Sequence, residues 1–425
     1  MLSCPNFVRK RQYGNLSKVM WKDAILSTLY KSFGVSSVTT TTPLNGQDWG
    51  AVFGCGFSPD GSLLVAACEN KCLLVYDPHN ANLIKRRFNT HTSCVNCVRF
   101  LDNRLFVTCS DDTTVRLWDA RNLTNELKVL RGHTSWVKNI EYCSTAGKLI
   151  TSGFDGNVFA WDINNYSNND QGEQLLYING MMRTKVCPDE QRMVISTLGG
   201  YFILVHDLDL DNFKQDLKSF RPRMYGLMQG LMQLLDAPQE LISGNNNIFH
   251  RKRNRVEFMS DFPEGDKAVS ISTMQVHPQG WCLVSRNTTA DEETEVNKRL
   301  SRSNGDRYTN TEWPPLPHAS QFHNRRLLFH SGEPNVGQGY IKEQSFSSDG
   351  RIIASPFANC VRLLAFDSEC RELCDTVPHK PRPLRQVALI AGNKSSVLTS
   401  TFSPVQLLCA AGAEDGSISF SSPKL

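Results

Sequence analysis

Apolar and polar residues alternate along three neighbouring stretches of the chain, and each stretch is interrupted at equivalent places. They are Phe53 to Asp77 (FGCGFSPDGSLLVAACENKCLLVYD), Cys94 to Asp119 (CVNCVRFLDNRLFVTCSDDTTVRLWD) and Trp136 to Asp162 (WVKNIEYCSTAGKLITSGFDGNVFAWD). Each reads as a strand, a turn, a second strand, a polar turn and a third strand closing on aromatic-Asp. In the second and third stretches the polar turn centres on Asp112 and Asp155. Period-two alternation puts one set of side chains on a buried face and the other on the opposite face, as half-buried strands require.

The unit returns every ~40–45 residues, the length of a four-stranded propeller blade. Less regular units follow. Thr184 to Asp207 ends in His206-Asp207. Val269 to Arg286 keeps two strands only. Ile341 to Asp367 ends in Phe366-Asp367, and Val397 to Phe420 stops before an aromatic-Asp end. The turns SPDG (Ser58–Gly61) and SSDG (Ser347–Gly350) are equivalent, with Asp-Gly supplying a positive φ. Seven units can be counted, and the weakness of the fifth leaves six or eight open. The last unit lacks an outermost strand, which the β-branched run from Val38 to Pro43 could supply. The fold class expected is all-β: a propeller, preceded by an extension over residues 1–45 and occupying residues 46–425.

These marks resemble the WD-repeat family. By that resemblance, repeat two carries a hydrogen-bonded tetrad of His91, Thr108, Asp112 and Trp118. Repeat three carries His133, Thr151, Asp155 and Trp161, with Gly132-His133 as the family's Gly-His pair. Indole N–H, hydroxyl, imidazole and carboxylate can bond in series, so buried polar groups escape their desolvation cost. These residues are therefore read as structural rather than catalytic.

Several segments fall outside the repeat. In Val19–Phe33 the residues Trp21, Ile25, Leu26, Leu29, Tyr30 and Phe33 share one stripe of a helix. Its apolar face needs a partner, either its own propeller or a groove on another protein. Phe213 to Pro238 is Met/Leu-rich and fits a short amphipathic helix or a packed insertion. Arg251–Arg255 (RKRNR) is a basic cluster, read mainly as a solvated outer strand or loop and alternatively as an import signal. The polar stretch near 287–322 reads as a mobile insertion, and Glu369 to Arg385 as a second loop.

Composition narrows the function classes. The net charge is +4 over 425 residues, too small for a strong polyanion-binding field. The N-terminus has no secretory h-region and no apolar run reaches membrane-spanning length, so the 14 Cys read as core thiols. Cys94 and Cys97 lack a second ligand pair, so no metal is expected. No serine-hydrolase, zinc-protease, P-loop or dinucleotide motif is present, and neither a cofactor nor an enzymatic activity is expected.

One repeat end differs from the rest. Repeat two closes as Arg116-Leu117-Trp118-Asp119-Ala120-Arg121, and only there does Trp-Asp-x-Arg occur. This is similar to the box of the cullin-4-associated factors, WD-repeat substrate receptors of a cullin-RING ubiquitin ligase. The likeness extends over residues 48–201, in stretches such as FNTHTSCVNCVRFLDNRLFVTCSDDTTVRLWDARNL and NGMMRTKVCPDEQRMVISTLGGY. It implies that Arg121 at the bottom rim, with Asp119 and the supporting Arg116, touches the ligase's damaged-DNA-binding adaptor. It also implies that the helix, through Trp21, Leu26 and Leu29, enters an adaptor groove. A client of unknown identity would then be held elsewhere on the ring. The alternative is a WD-repeat scaffold with no ligase link, in which Arg121 only pairs with a neighbouring blade. Either role is intracellular, in cytosol or nucleus, with no membrane partner and little scope for nucleic acid.

Overall fold

The computed structural model describes residues 18–39, 48–163, 172–197, 201–217, 254–260, 270–277, 282–287, 329–333, 343–376, 378 and 382–424. Among these residues the strands form seven four-stranded sheets. The first is Val52–Phe57, Leu64–Cys68, Leu73–Asp77 and Asn82–Arg87. The second is Val95–Phe100, Leu105–Ser110, Thr114–Asp119 and Lys128–Arg131, and the third runs from Val137–Cys143 to Glu173–Tyr177. Each is an antiparallel meander in sequence order. The chain is a β-propeller.

The core is divided into wedges between neighbouring sheets. Val65, Ala67, Leu73 and Val75 of the first sheet pack on Val95, Phe100, Phe106 and Trp118 of the second. Cys97, Cys109 and Val115 of the second pack on Ile140, Leu149 and Trp161 of the third. Both faces of the inner strands are thereby buried, which explains why second strands such as Leu64–Cys68 read as continuous apolar runs. The hairpin turns follow their sequences. In SPDG, Gly61 has φ +71° and the Ser58 hydroxyl donates to Asp60 Oδ1 at 2.6 Å. In SSDG, Gly350 has φ +72° and Ser347 donates to Asp349 Oδ1 at 2.6 Å.

The ring closes through a strand from the N-terminal segment. Phe33–Thr39 pairs antiparallel with Ile418–Pro423, the third strand of the seventh sheet. The closing strand lies earlier than Val38 to Pro43: it opens at Phe33, and residues 40–47 are outside the described region. The helix, α1 (Lys18–Lys31), accordingly stops before Phe33. The Ser32 hydroxyl and N–H both return to Leu29 O, ending the helical ladder.

The fourth and fifth sheets are less regular. The fourth consists of Met181–Val186, Arg192–Thr197, Tyr201–His206 and Arg255–Ser260, so its outer strand arrives only after a long insertion. Arg255, the last residue of the basic cluster, opens that strand and pairs with Asp207 at 2.9 Å. In the fifth, Ser270–Val276 and Cys282–Asn287 are joined in parallel by Phe329–Glu333 and then Arg382–Pro383. That fourth strand comes from the Pro-rich loop of the sixth sheet, so the loop serves two sheets. The Met/Leu-rich stretch beyond 217, most of the RKRNR cluster and the polar stretch from 288 to 322 lie outside the described residues.

A belt of charge joins the innermost strands. Lys185 Nζ sits 3.1 Å from Glu141 and 3.3 Å from Glu343, and Arg183 reaches the same Glu343 oxygen at 3.2 Å. Burial alone would raise the Glu343 pKa, but Arg183 and Lys185 outweigh it and hold the carboxyl at about 2. The belt ties the fourth sheet to the sixth across the irregular fifth.

A chain beginning at Thr40 is expected to leave the Ile418–Pro423 edge unpaired, melt at lower temperature and aggregate, whereas one beginning at Lys18 should match the full chain. Equal melting curves for the two truncations would show that the strand does not close the ring.

Candidate functional site

The two tetrads have matching geometry. Trp118 Nε1–H donates to Thr108 Oγ1 at 2.9 Å, Thr108 bonds His91 Nε2 at 2.8 Å, and His91 Nδ1 meets Asp112 Oδ2 at 2.9 Å. The same order runs from Trp161 through Thr151 (2.8 Å) and His133 (2.8 Å) to Asp155 (3.0 Å). The network assigns the proton of each imidazole to Nδ1. Each Asp also accepts a backbone N–H, from Thr92 and Thr134 respectively, at 2.9 Å in both cases. A Thr-His-Asp series has the order of a nucleophile relay. Here both Thr hydroxyls are wholly buried and already accept an indole N–H, so neither can meet a substrate.

Burial lowers the His91 pKa against the opposing pull of Asp112, so the ring stays neutral. Burial would raise Asp112, but the hydrogen bonds it accepts from His91, Thr114 and the Thr92 N–H hold it well below the usual range.

The link after Trp118-Asp119 is the candidate docking element. Ala120 and Leu123 are buried against Trp118 and Phe106. Asp119 accepts Arg104 Nε–H and the Arg121 backbone N–H, each at 2.9 Å, and the Arg104 guanidinium keeps its carboxyl below the usual range. From the first sheet, Lys85 Nζ donates to Ala120 O at 3.2 Å and to Arg121 O, and Arg87 donates to Thr124 O at 3.0 Å. The backbone is thus held from three sides. The Arg121 side chain is exposed and makes no hydrogen bond or ion pair among the described residues. Asp119 and Arg121 are brought together at the rim. Arg116 is set back, its guanidinium pairing with Glu126 at 3.2 Å and lying 3.9 Å from Asp112.

Topology fixes which face this is. In an antiparallel four-stranded meander, the first–second and third–fourth links lie at one end. Arg121 belongs to a third–fourth link. Phe33 pairs with Pro423 at the end of a third strand, so α1, which leads into Phe33, lies at that same end. Its contacts agree. The Tyr30 hydroxyl donates to Asp349 at 2.8 Å, and Arg351 Nη1 pairs with Asp23 at 2.8 Å, both partners in or beside a first–second turn. Arg351 also pairs with Glu372 at 2.6 Å and donates to Cys370 O at 3.1 Å.

Helix α1 therefore docks on its own ring. Tyr30 and Phe33 enter the core shared by the sixth and seventh sheets. Leu26, expected to face the adaptor, packs half-buried against that core; Leu29 is half-buried; the Trp21 side chain lies outside the described residues. The hub residue Arg351 was invisible as such in the sequence, because its partners Asp23 and Glu372 lie on segments far apart along the chain.

Comparison with known proteins now adds to this geometry. The WD40 family (WD domain, G-beta repeat) matches residues 37–77, 83–119 and 124–162. A protein of Danio rerio named DDB1- and CUL4-associated factor 10 is 39% identical over 410 residues, covering 94% of this chain and 79% of its own. The proteins of the same name from Homo sapiens and Xenopus tropicalis are each 36% identical, covering 93% and 94% of this chain and 74% and 90% of their own. The chain belongs to the DDB1- and CUL4-associated factor 10 family. Membership spans the irregular later sheets as well, which the repeat family reaches only as far as residue 162. No helix among the described residues is long and apolar enough to cross a membrane.

Two outcomes follow. Because the folded His91 pKa is lowered, its stabilisation is full above ~6.5 and declines as pH falls below that value. Melting temperature should drop between pH 7.5 and pH 5, and His91→Gln should give a lower but flatter profile; an unchanged slope would remove His91 as the cause. Arg351→Ala should cost about 2 kcal/mol, the scale of a charged hydrogen bond, and speed amide exchange in residues 22–31. Unchanged exchange there would show that Arg351 does not hold α1.

Proposed function

We propose that the chain is a non-catalytic substrate receptor: it docks on the adaptor of a cullin-4 RING E3 ubiquitin ligase and presents a client protein for ubiquitination. The observation that carries this reading is the match, over nearly the whole chain, to proteins whose name states association with DDB1 and CUL4. Such a component works inside the cell, in cytosol or nucleus.

The contact is assigned to the face that carries both the Trp-Asp-x-Arg link and α1. An exposed guanidinium on a backbone held from three sides loses little freedom on binding and offers a planar fork to carboxylates or carbonyls. Asp119 orients Arg121, and Arg116 braces the strand behind it. From α1, Trp21 and Leu29 are assigned to the adaptor, while Leu26 secures the helix to the ring. The opposite face, with the exposed Trp136 and Tyr177, is left for the client.

Affinity purification of the tagged chain is expected to recover the adaptor and cullin. Arg121→Ala should weaken adaptor binding about tenfold, the effect of one interface anchor, with melting temperature unchanged. Recovery of neither component by the unmodified chain would overturn the reading.

A further inference from the structure

We propose that the outer edges of the first and second sheets form, together with Arg121, one docking surface for an acidic, aliphatic-bearing protein surface, that of the ligase adaptor. The inference rests on the adaptor reading above and extends the contact from one rim residue to a defined patch. Its charge is concentrated here. The outer strand Asn82–Arg87 carries Lys85, Arg86 and Arg87, and Lys128–Arg131 carries Lys128 and Arg131. Every other outer strand carries one basic residue or none. Basic residues on a sheet edge can serve simply to prevent edge-to-edge pairing. That need is the same for every edge, yet only these two neighbours are so furnished, and the chain's net charge is only +4.

The patch is continuous with the rim. Lys85 and Arg87 are the residues that hold the Arg121 link, through Ala120 O, Arg121 O and Thr124 O. The nearby acids are already engaged: Glu126 pairs with Arg116 and Asp119 with Arg104. Arg86 and Arg121 are exposed with no ion pair among the described residues. Between the cations stand exposed aliphatic side chains, Leu83 (38%), Ile84 (49%) and Leu127 (57%). Cations steer an acidic partner and set its register, while the aliphatic side chains supply the buried area that holds it. Single-stranded nucleic acid would call for exposed aromatics to stack its bases. The exposed aromatics Trp136 and Tyr177 belong to the third sheet and the loop before it, not to this patch.

The test uses the full chain and purified adaptor, with Ile84→Asp/Leu127→Asp, Arg86→Glu/Arg131→Glu and Arg121→Ala compared by biolayer interferometry at two salt concentrations; Arg87 is left intact because it holds the Arg121 link. Each double variant is expected to bind about tenfold more weakly, with the melting temperature of the unmodified chain. The charge-reversed pair should also lose most of the salt dependence of the association rate. If both pairs bind like the unmodified chain while Arg121→Ala is weakened, the patch is wrong and the adaptor reading stands. If the unmodified chain does not bind adaptor, both fall. Binding of a 20-nucleotide oligonucleotide that is lost in Arg86→Glu/Arg131→Glu would overturn the protein-partner assignment. Should one double variant fail to fold, the other decides.

Discussion

A propeller must satisfy the backbone of its last sheet, and here it does so with a strand drawn from before the first. Phe33–Thr39 pairs with Ile418–Pro423, so a non-covalent junction holds the two ends of the ring together. Other features depend on that junction. The closing strand starts at the face where the third–fourth links emerge, which fixes where α1 lies. Tyr30, Asp23 and Arg351 then fasten the helix to the sixth and seventh sheets. The rim that carries Arg121 and the helix that precedes the ring share one face because of this closure.

Polar side chains hold the structure at two depths. Within the second and third sheets, the Trp-Thr-His-Asp series satisfies groups that burial would otherwise leave stranded. At the ring's centre, Arg99, Glu141, Lys185, Arg183 and Glu343 bridge one sheet to the next through their side chains, and the Glu343 backbone also pairs with Leu398 and Ser400 of the seventh sheet. Removing one partner would leave a buried charge uncompensated, which is why such belts are costly to alter. At the rim the balance differs. Asp119 and Glu126 are paired with Arg104 and Arg116, and Arg121 and Arg86 stay exposed and outside any ion pair among the described residues.

Part of this was legible along the chain. The alternation and the Asp-Gly turns specify strands and hairpins locally, and Trp-Asp-x-Arg marks one repeat end as unlike the others. The charged belt left a faint trace: Arg99, Glu141 and Lys185 each stand opposite the third residue of the following strand, Val107, Ile150 and Val194. The fifth sheet left almost none. Its third strand pairs in parallel and its fourth is borrowed from beyond Phe366, so no local repeat could announce it.

The sequence by itself determined the strand-turn rhythm, the tetrad residues, a helix ahead of the ring and the singular Arg121, since each depends on residues close together in the chain. Tertiary structure decided what depends on distant segments meeting. It began the closing strand at Phe33 rather than Val38, because Phe33 pairs with Pro423 at the far end of the chain. It set α1 on the ring through Arg351, whose partners Asp23 and Glu372 come from opposite ends of the sequence. It also placed the basic strand Asn82–Arg87 against the Arg121 link, turning a lone exposed arginine into the centre of a surface.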